Sequence, residues 1–304
     1  MKAMLETGIL STVLTIGLAL GLNSGAFAQT PPTGGANAPE LDLEIDPSEP
    51  DFTVITLPTN LRLPKHKLGF FLTHRFARPL GRGSFGDLAS DFFGFDGGAQ
   101  IGFGLRFGLL PGTQLGIYRT SDRTIQLYAQ SELVSQRKHP IGVSLHASVE
   151  GTDNFGLSDP RAEGLDTVYS PSFSLVVSRK LGTRGAAYLV PRWVGNTPLS
   201  ENQPGDDSTF LLGVGLRVRL YGSTYVTGEV LPRLAGYKGA LCAGDVCIGD
   251  TDTLVTFAIE KQVGGHAFSI NFSNGTGTTP RQTVTDQTRD NDWFIGFNLS
   301  RRFY

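Results

Sequence analysis

Apolar and polar residues alternate along most of the chain after residue 66. Between residues 99 and 109 every second residue is apolar, whereas glycine, glutamine and arginine fill the positions between them. The same arrangement recurs at 141–150, 210–220 and 266–273. Alternation with a period of two is typical of β-strands whose two faces meet different surroundings. The pattern therefore predicts a sheet with one apolar and one polar face.

The alternation predicts twelve strands. They cover residues 67–76, 98–109, 113–120, 123–134, 140–150, 169–180, 184–194, 208–220, 223–231, 252–262, 265–274 and 292–303. The connections after even-numbered strands have two to five residues, whereas five of the other six have thirteen or more. Short turns on one rim and long loops on the other are typical of outer-membrane barrels. We predict an all-β fold, a closed antiparallel transmembrane β-barrel of about 12 strands at 66–304.

The composition of the two faces indicates which solvent surrounds this barrel. One face is almost entirely leucine, valine, isoleucine and phenylalanine, and the other is rich in glycine, serine, glutamine and arginine. In hydrocarbon every backbone donor and acceptor must be paired internally, which helices and closed barrels achieve. The faces therefore predict contact with outer-membrane lipid outside and a polar lumen inside. A soluble periplasmic sandwich or lipocalin-like barrel is the alternative.

Composition and charge narrow the function classes. The chain has 39 glycines and 20 phenylalanines among 304 residues, and charged residues make up 18%. The formal net charge is −2, which excludes a strongly basic nucleic-acid-binding protein. We therefore expect no nucleic-acid partner.

The first 65 residues predict a targeting segment followed by a polar one. Residues 1–28 have Lys2, an apolar stretch and a small-x-small site at Ala26–Ala28, which predicts a cleaved signal peptide. A membrane-spanning helix is the alternative, but the apolar stretch is shorter than a span requires. Residues 29–65 are proline-rich and acidic, which favours a periplasmic tail or linker. A short strand at 52–57 is an open possibility.

The last predicted strand ends on aromatic residues, which is typical of the signal for outer-membrane insertion. The residues that would carry this signal are Trp293, Phe297, Leu299, Phe303 and Tyr304. We therefore expect the barrel-assembly machinery as a partner during insertion.

Several short segments in a fixed order resemble a known family. They are Phe70–Phe76 (FFLTHRF), Asp91–Asp96 (DFFGFD), Tyr118–Thr120, Gln130–Gln136 (QSELVSQ), Val190–Pro191 and Gly296–Arg301 (GFNLSR). Together they resemble an uncharacterised family of bacterial outer-membrane-type β-barrels, a domain of unknown function. The resemblance covers about residues 66–304. It implies an outer-membrane barrel and implies no particular activity.

The strand phase predicts which polar side chains face the lumen. These are Arg75, Arg106, Gln126, Tyr128, Gln130, Glu132, His146, Glu150, Arg192, Arg217, Arg219, Glu229, Glu260 and Asn271. They are the candidates for a pathway in which charge sets selectivity among small polar solutes. The alternative is a lumen filled by Arg–Glu pairs, because a twelve-stranded barrel is narrower than the 16–18-stranded porins.

Two smaller features have chemical interpretations. Cys242 and Cys247 lie close together in a long connection, which predicts a disulfide in an oxidising compartment. Ser273-Asn274 resembles part of the His-x-Ser-Asn pattern of outer-membrane lipid hydrolases, but the histidine position is Asn271. Because asparagine cannot act as the base for a serine nucleophile, we predict no catalytic residue and no enzyme. We also expect no metal and no cofactor.

The leading functional hypothesis is a channel or transport-type barrel for small polar solutes. The alternative is a structural or interaction barrel with a plugged lumen and partner-binding outer loops, and a lipid hydrolase is the third reading. The lumen distinguishes the first two. An open bore favours transport, and a lumen filled by paired side chains or by residues 29–65 folded inward favours the interaction barrel.

Overall fold

The computed structural model describes residues 46–151, 169–197, 208–236, 241–243, 246–248, 253–285 and 292–303. The predicted signal peptide at 1–28 lies outside the described residues. No helix in the described ranges is long and apolar enough to cross a membrane.

Twelve antiparallel strands form a closed barrel within the described part of the chain. They are β1 (Leu68–Phe76), β2 (Ala99–Leu110), β3 (Thr113–Thr120), β4 (Ile125–Val134), β5 (Gly142–Gly151), β6 (Tyr169–Lys180), β7 (Gly185–Gly195), β8 (Ser208–Tyr221), β9 (Thr224–Leu231), β13 (Leu254–Val263), β14 (His266–Ser273) and β15 (Phe294–Phe303). Each strand pairs with its neighbour around the barrel, and β15 pairs with β1 to close it. The predicted closed antiparallel barrel is confirmed.

The connection between β9 and β13 contains three short strands. β10 (Arg233–Gly236) continues β9 beyond Pro232 and pairs with β8. β11 (Leu241–Ala243) and β12 (Val246–Ile248) pair with each other as a two-stranded sheet. The connection between β1 and β2 carries the helix α1 (Phe85–Ser90), which begins with a capping box between Ser84 and Asp87.

Side-chain burial alternates along the barrel strands as the hydrophobic pattern predicts. In β2 the residues Ile101, Phe103 and Leu105 are exposed, whereas the residues between them are buried. This inverts the order found in a water-soluble protein, because the apolar residues face outward and the polar residues face inward. The exposed apolar face is therefore suited to contact with lipid.

The residues that precede β1 occupy the lumen. Residues 46–64, which we call the plug, are part of the segment 29–65 for which a periplasmic tail or linker is the first prediction. Phe52, Ile55, Leu57 and Leu63 of the plug are each at most 2% exposed. Residues 46–64 therefore fold into the lumen, which is the alternative that the sequence left open for the segment 29–65. Burial in the lumen is favourable because it removes these apolar side chains from water. Residues 29–45 lie outside the described residues.

The plug and the barrel wall form an apolar core together. Val54 and Leu57 pack in one cluster with Val176, Val190 and Leu231 of the wall. These wall residues interrupt an otherwise polar lumen face. The barrel therefore has apolar patches inside that match the apolar side chains of the plug.

Candidate functional site

The carboxylate of Glu229 on β9 binds the tip of the plug. It accepts hydrogen bonds from the backbone N–H groups of Ile55 at 3.1 Å, Thr56 at 2.9 Å and Leu57 at 3.0 Å. It also accepts a bond from the Thr56 hydroxyl. Hydrogen bonds to an ionised acceptor are roughly twice as strong as neutral ones. Glu229 is therefore the most connected attachment point between wall and plug in these contacts.

Other lumen side chains bind carbonyl groups of the plug. Arg217 donates to the carbonyl oxygen of Thr53 at 2.7 Å and forms an ion pair with Glu260 at 2.8 Å. Gln130 donates to the carbonyl oxygen of Thr59 at 2.6 Å. The wall thus satisfies backbone groups that a buried segment without regular structure would otherwise leave unpaired.

Side-chain contacts connect the rest of the plug to the wall. The side-chain nitrogen of Asn60 donates to the hydroxyl of Ser178 at 2.7 Å. Arg62 pairs with Glu132 on β4 at 2.6 Å. Each of these contacts is non-covalent and therefore reversible.

An ion pair at the short-turn rim connects the beginning of the plug with β6. The ammonium group of Lys180 lies 2.6 Å from a carboxylate oxygen of Asp46. Burial acts to raise the pKa of Asp46, but hydrogen bonds from Lys180 and Ser48 outweigh it and lower the pKa below its ordinary value. Asp46 therefore stays ionised and paired at neutral pH.

A second segment enters the barrel from the rim of long loops. Residues 275–285, which we call the cap loop, connect β14 towards β15 and include the short helix α2 (Gln282–Thr285). Glu150 accepts hydrogen bonds from the hydroxyl of Thr279 and the backbone N–H of Arg281, both at 3.0 Å. Tyr118 donates to the hydroxyl of Thr278 at 2.8 Å. The cap loop therefore closes the barrel on the side opposite the plug.

A cavity of about 70 Å³ lies between the plug and the cap loop, and we call it the central cavity. Its wall residues come from β1 to β5 and β7, the plug forms one end and Thr278 and Pro280 of the cap loop form the other. A cavity of this volume has room for several water molecules or for a solute of a few non-hydrogen atoms.

Two arginines of the central cavity have no carboxylate partner among the described residues. The guanidinium of Arg106 lies between the rings of Phe52 and Phe71, at 4.6 and 4.4 Å from their centroids, and its Nε has no hydrogen-bond partner. Arg192 donates from Nε to the hydroxyl of Ser174 at 3.0 Å. The terminal nitrogens of both arginines form no hydrogen bond within the described part of the chain, although both side chains are buried.

Two further polar groups in the central cavity are also unpaired. The ring of His146 stacks on Tyr128 with a centroid distance of 5.4 Å. The Nδ1 of His146 and the hydroxyl of Tyr128 are buried and have no hydrogen-bond partner in the described residues. Buried polar groups normally have partners, so this cluster marks a place where a polar ligand or water belongs.

The structure places most of the predicted lumen residues inside the barrel. Buried residues of that set are Arg75, Arg106, Gln126, Tyr128, Gln130, His146, Glu150, Arg192, Arg217, Glu229, Glu260 and Asn271. Six of them line the central cavity: Arg106, Gln126, Tyr128, Gln130, His146 and Arg192. Glu132 is partly exposed beside Arg62, and Arg219 bonds to the carbonyl oxygen of Gly222 in the β8–β9 turn. The last two therefore lie near the short-turn rim, away from the central cavity.

Several functional residues were not predicted from the sequence. The plug residues, the cap loop and the cavity residues Phe71 and Tyr118 are among them. The apolar run at 52–57 within a polar segment is the signal that indicates a buried plug. No comparable signal marks the cap loop, because its buried residues form no apolar run: they are Gly275, Gly277, Thr279, Pro280, Arg281, Thr283 and Val284.

The remaining predictions concern Ser273, the two cysteines and metal binding. The hydroxyl of Ser273 contacts the hydroxyl of Thr256 at 2.9 Å and accepts a bond from the N–H of Gly275. Cys242 and Cys247 are directly opposite each other in the β11–β12 register, while their side chains lie outside the described part, so the disulfide stays a prediction. Among the described residues no group of three or more metal-ligating side chains could hold an ion.

The predicted insertion-signal residues lie at the end of the chain. Phe297, Leu299 and Phe303 alternate with buried residues along β15, and Trp293 immediately precedes this strand. Tyr304 lies outside the described residues. The role of these residues in insertion stays a prediction.

The closed barrel, its apolar exterior and its filled polar interior define the class: a membrane-spanning β-barrel. The family described as "Membrane bound beta barrel domain (DUF5777)" matches residues 51–303. The chain belongs to this family. The match begins inside the plug, so the family domain includes most of the plug as well as the barrel.

Solved structures with a similar arrangement are known at low sequence identity. The COG4313 outer membrane channel from Pseudomonas putida F1 is 12% identical, with a TM-score of 0.45, over 80% of this chain and 97% of that one. Outer membrane phospholipase A from Escherichia coli is 11% identical, with a TM-score of 0.40, over 79% and 93%. LpxR from Salmonella typhimurium is 12% identical, with a TM-score of 0.36, over 78% and 99%. No curated protein matches the chain.

Proposed function

We propose that this protein is an outer-membrane barrel that is closed at rest and transports small polar solutes when the plug moves. The observation that carries the proposal is the central cavity, which contains buried polar side chains and lies between two reversible closures. A barrel that served only as a scaffold would gain nothing from buried donors without acceptors, because such groups destabilise the fold.

The contacts of the plug are suited to a reversible gate. Beside the apolar cluster around Val54 and Leu57, they are hydrogen bonds and ion pairs that end on side chains of the wall. Glu229 alone accepts from three backbone N–H groups. When the plug leaves, water can solvate the same wall groups, because they are polar. Separation of Val54 and Leu57 from their apolar partners in the wall adds a cost, which makes the closed state the resting state.

The second candidate function is a structural or interaction barrel that never conducts. The observation that favours it is that both ends of the lumen are filled, by the plug and by the cap loop. In this case the long outer loops would bind a partner. The two candidates differ in one measurable property, which is whether ions cross the barrel.

A reversible cross-link tests whether the plug is a gate. Asn60 and Ser178 are in side-chain contact at 2.7 Å, so the double variant Asn60→Cys/Ser178→Cys should form a disulfide between plug and wall. In planar bilayers we expect openings of the full-length wild type between long closed periods. Oxidation of the double variant should abolish these openings, and a reductant should restore them.

Two controls make the cross-link experiment specific. The single variant Ser178→Cys and the wild type should conduct equally with and without reductant, which also accounts for Cys242 and Cys247. Openings that persist unchanged in the oxidised double variant would show that the plug is not the gate. A complete absence of current from the wild type and from the reduced variant at every voltage would favour the interaction barrel.

A further inference from the structure

We infer that the central cavity binds a small organic anion, and that Arg106 and Arg192 bind its carboxylate group. The inference rests on the proposed function, because it names the class of solute that the barrel would transport. Its evidence is the set of unpaired hydrogen-bond donors in the cavity. These donors are separate from the contacts between the plug and Glu229, which support the gate.

The cavity has an excess of donors over acceptors. Nε of Arg106 and the hydroxyl of Tyr128 are buried without a hydrogen-bond partner among the described residues. Within the same residues Arg192 bonds only from Nε, to the hydroxyl of Ser174. Arginine presents a planar set of N–H groups that matches the two oxygens of a carboxylate. A buried guanidinium without an anion is unfavourable, so an anionic ligand compensates both charge and hydrogen bonding here.

The nearby carboxylates of the barrel are already bound elsewhere. Glu229 and Glu150 act electrostatically on Arg192, but neither of them lines the cavity. Glu229 accepts from the plug backbone, and Glu150 accepts from Thr279 and Arg281 of the cap loop. The two acidic groups thus stabilise the closures of the cavity rather than occupying the place of a ligand.

The rest of the cavity surface favours an organic anion over a fully hydrated inorganic one. Ile55 and Pro58 of the plug, Phe71 of β1 and Pro280 of the cap loop contribute apolar wall. These surfaces can cover a short hydrocarbon group while the arginines bind the charged end. The volume of about 70 Å³ accommodates a solute of a few non-hydrogen atoms.

Calorimetric titration of the refolded full-length protein in a zwitterionic detergent tests this site. Acetate is the probe, and acetamide is its neutral counterpart of nearly the same shape. We expect acetate to bind at least about tenfold more tightly than acetamide. Arg106→Gln and Arg192→Gln should each weaken acetate binding by about tenfold or more, because each removes a charge-assisted contact.

Arg82→Gln is the matched control, since Arg82 pairs with Asp292 and neither residue belongs to the cavity, the plug or the cap loop. It should bind acetate as the wild type does. Each variant is first shown to fold by its heat-modifiable mobility in gels, and circular dichroism should show wild-type strand content. A variant that fails to fold is replaced by Arg→Lys at the same position, which keeps the charge and loses the planar contact.

The outcomes separate this inference from the proposed function. Equal binding of acetate and acetamide, or acetate binding that is unchanged in both arginine variants, would overturn the anion site even if the barrel conducts. Stronger binding of inorganic phosphate than of acetate would overturn the carboxylate assignment. Arginine-dependent acetate binding by a barrel that never conducts would support the site and contradict transport.

Discussion

Glycines on the lumen face create the space that the plug and the cavity rings occupy. A Cβ atom on Gly213 would lie 2.5 Å from a methyl carbon of Leu57, and one on Gly215 would lie 3.2 Å from Val54. A Cβ on Gly102 would lie 1.8 Å from the hydroxyl oxygen of Tyr118. The alternation places these glycines on the lumen face, and the structure identifies the plug and Tyr118 as what packs against them.

Gly213→Val should loosen the plug. The added side chain overlaps Leu57, and overpacking of this kind costs about 1–3 kcal/mol, which corresponds to an increase on the order of tenfold in plug opening. Hydrogen exchange of the backbone amides at 52–60, measured by mass spectrometry, should accelerate by that factor.

Gly228→Val is the matched control for this substitution. Gly228 lies next to Glu229 in β9, and a Cβ there meets no atom closer than 3.8 Å. Exchange at 52–60 should stay at the wild-type rate. Equal acceleration in the two variants would mean that general strand damage, and not contact with Leu57, releases the plug.

The sequence predicts on which face of a strand a side chain lies, but it does not predict which other side chains surround it. The period of two identifies Arg106 and Arg217 as equivalent lumen residues. In the structure Arg217 pairs with Glu260, whereas Arg106 lies between two aromatic rings without an acid. The difference depends on which side chains neighbouring strands and the plug bring close, and a pattern within one strand contains no such information.

At the scale of elements, the local alternation of residues predicts the strands, whereas the contacts between the plug and the barrel wall could not be predicted. Each barrel strand begins and ends within two residues of its predicted limits, because alternation is a property of adjacent residues. The plug has no periodicity, and its partners are far away in the sequence: Ile55 binds Glu229 across 174 positions. Prolines and acidic residues indicate an irregular segment and do not indicate where it packs.

The cap loop should depend on Glu150 and should open independently of the plug. Glu150→Gln keeps the size of the side chain and replaces its carboxyl group with an amide, so the bonds from Thr279 and Arg281 weaken by roughly 1–2 kcal/mol together. We expect amide exchange at 278–285 to accelerate on the order of tenfold, while exchange at 52–60 stays unchanged.

Asp91→Asn is the control for the cap loop. Asp91 pairs with Arg78 in the β1–β2 connection and has no contact with residues 278–285 in the described structure. It should leave the cap loop at its wild-type exchange rate. If Glu150→Gln accelerates exchange at 52–60 as well, the two closures are coupled and our description of separate elements is wrong.

At the scale of the whole molecule, the apolar exterior decides how the barrel sits in a membrane. Ile259 lies near the middle of β13 and is 60% exposed, and Val263 lies at the end of that strand near a turn. Both residues face outward, so their surroundings in a bilayer differ mainly in depth. A charge introduced at each of these two positions therefore tests whether hydrocarbon surrounds the barrel.

Ile259→Lys should destabilise the folded barrel by about 2–4 kcal/mol, whereas Val263→Lys should cost about 0–1 kcal/mol, because the penalty for a charge falls towards the interfaces. Reversible unfolding by guanidinium in lipid vesicles measures both free energies. Equal small effects of the two substitutions would contradict a lipid-facing exterior at Ile259.

The position of the plug in the chain also determines the order of assembly. Residues 46–64 are synthesised before the barrel strands, yet they contact β8, β9 and β15, and Ser300 bonds to Asp51 across 249 positions. The plug therefore precedes the barrel strands in the chain but can dock only after the last of them are in place, which makes its docking a late event of high contact order. Until that step the newly inserted barrel lacks its plug, and its permeability barrier is completed by residues that precede all of its barrel strands.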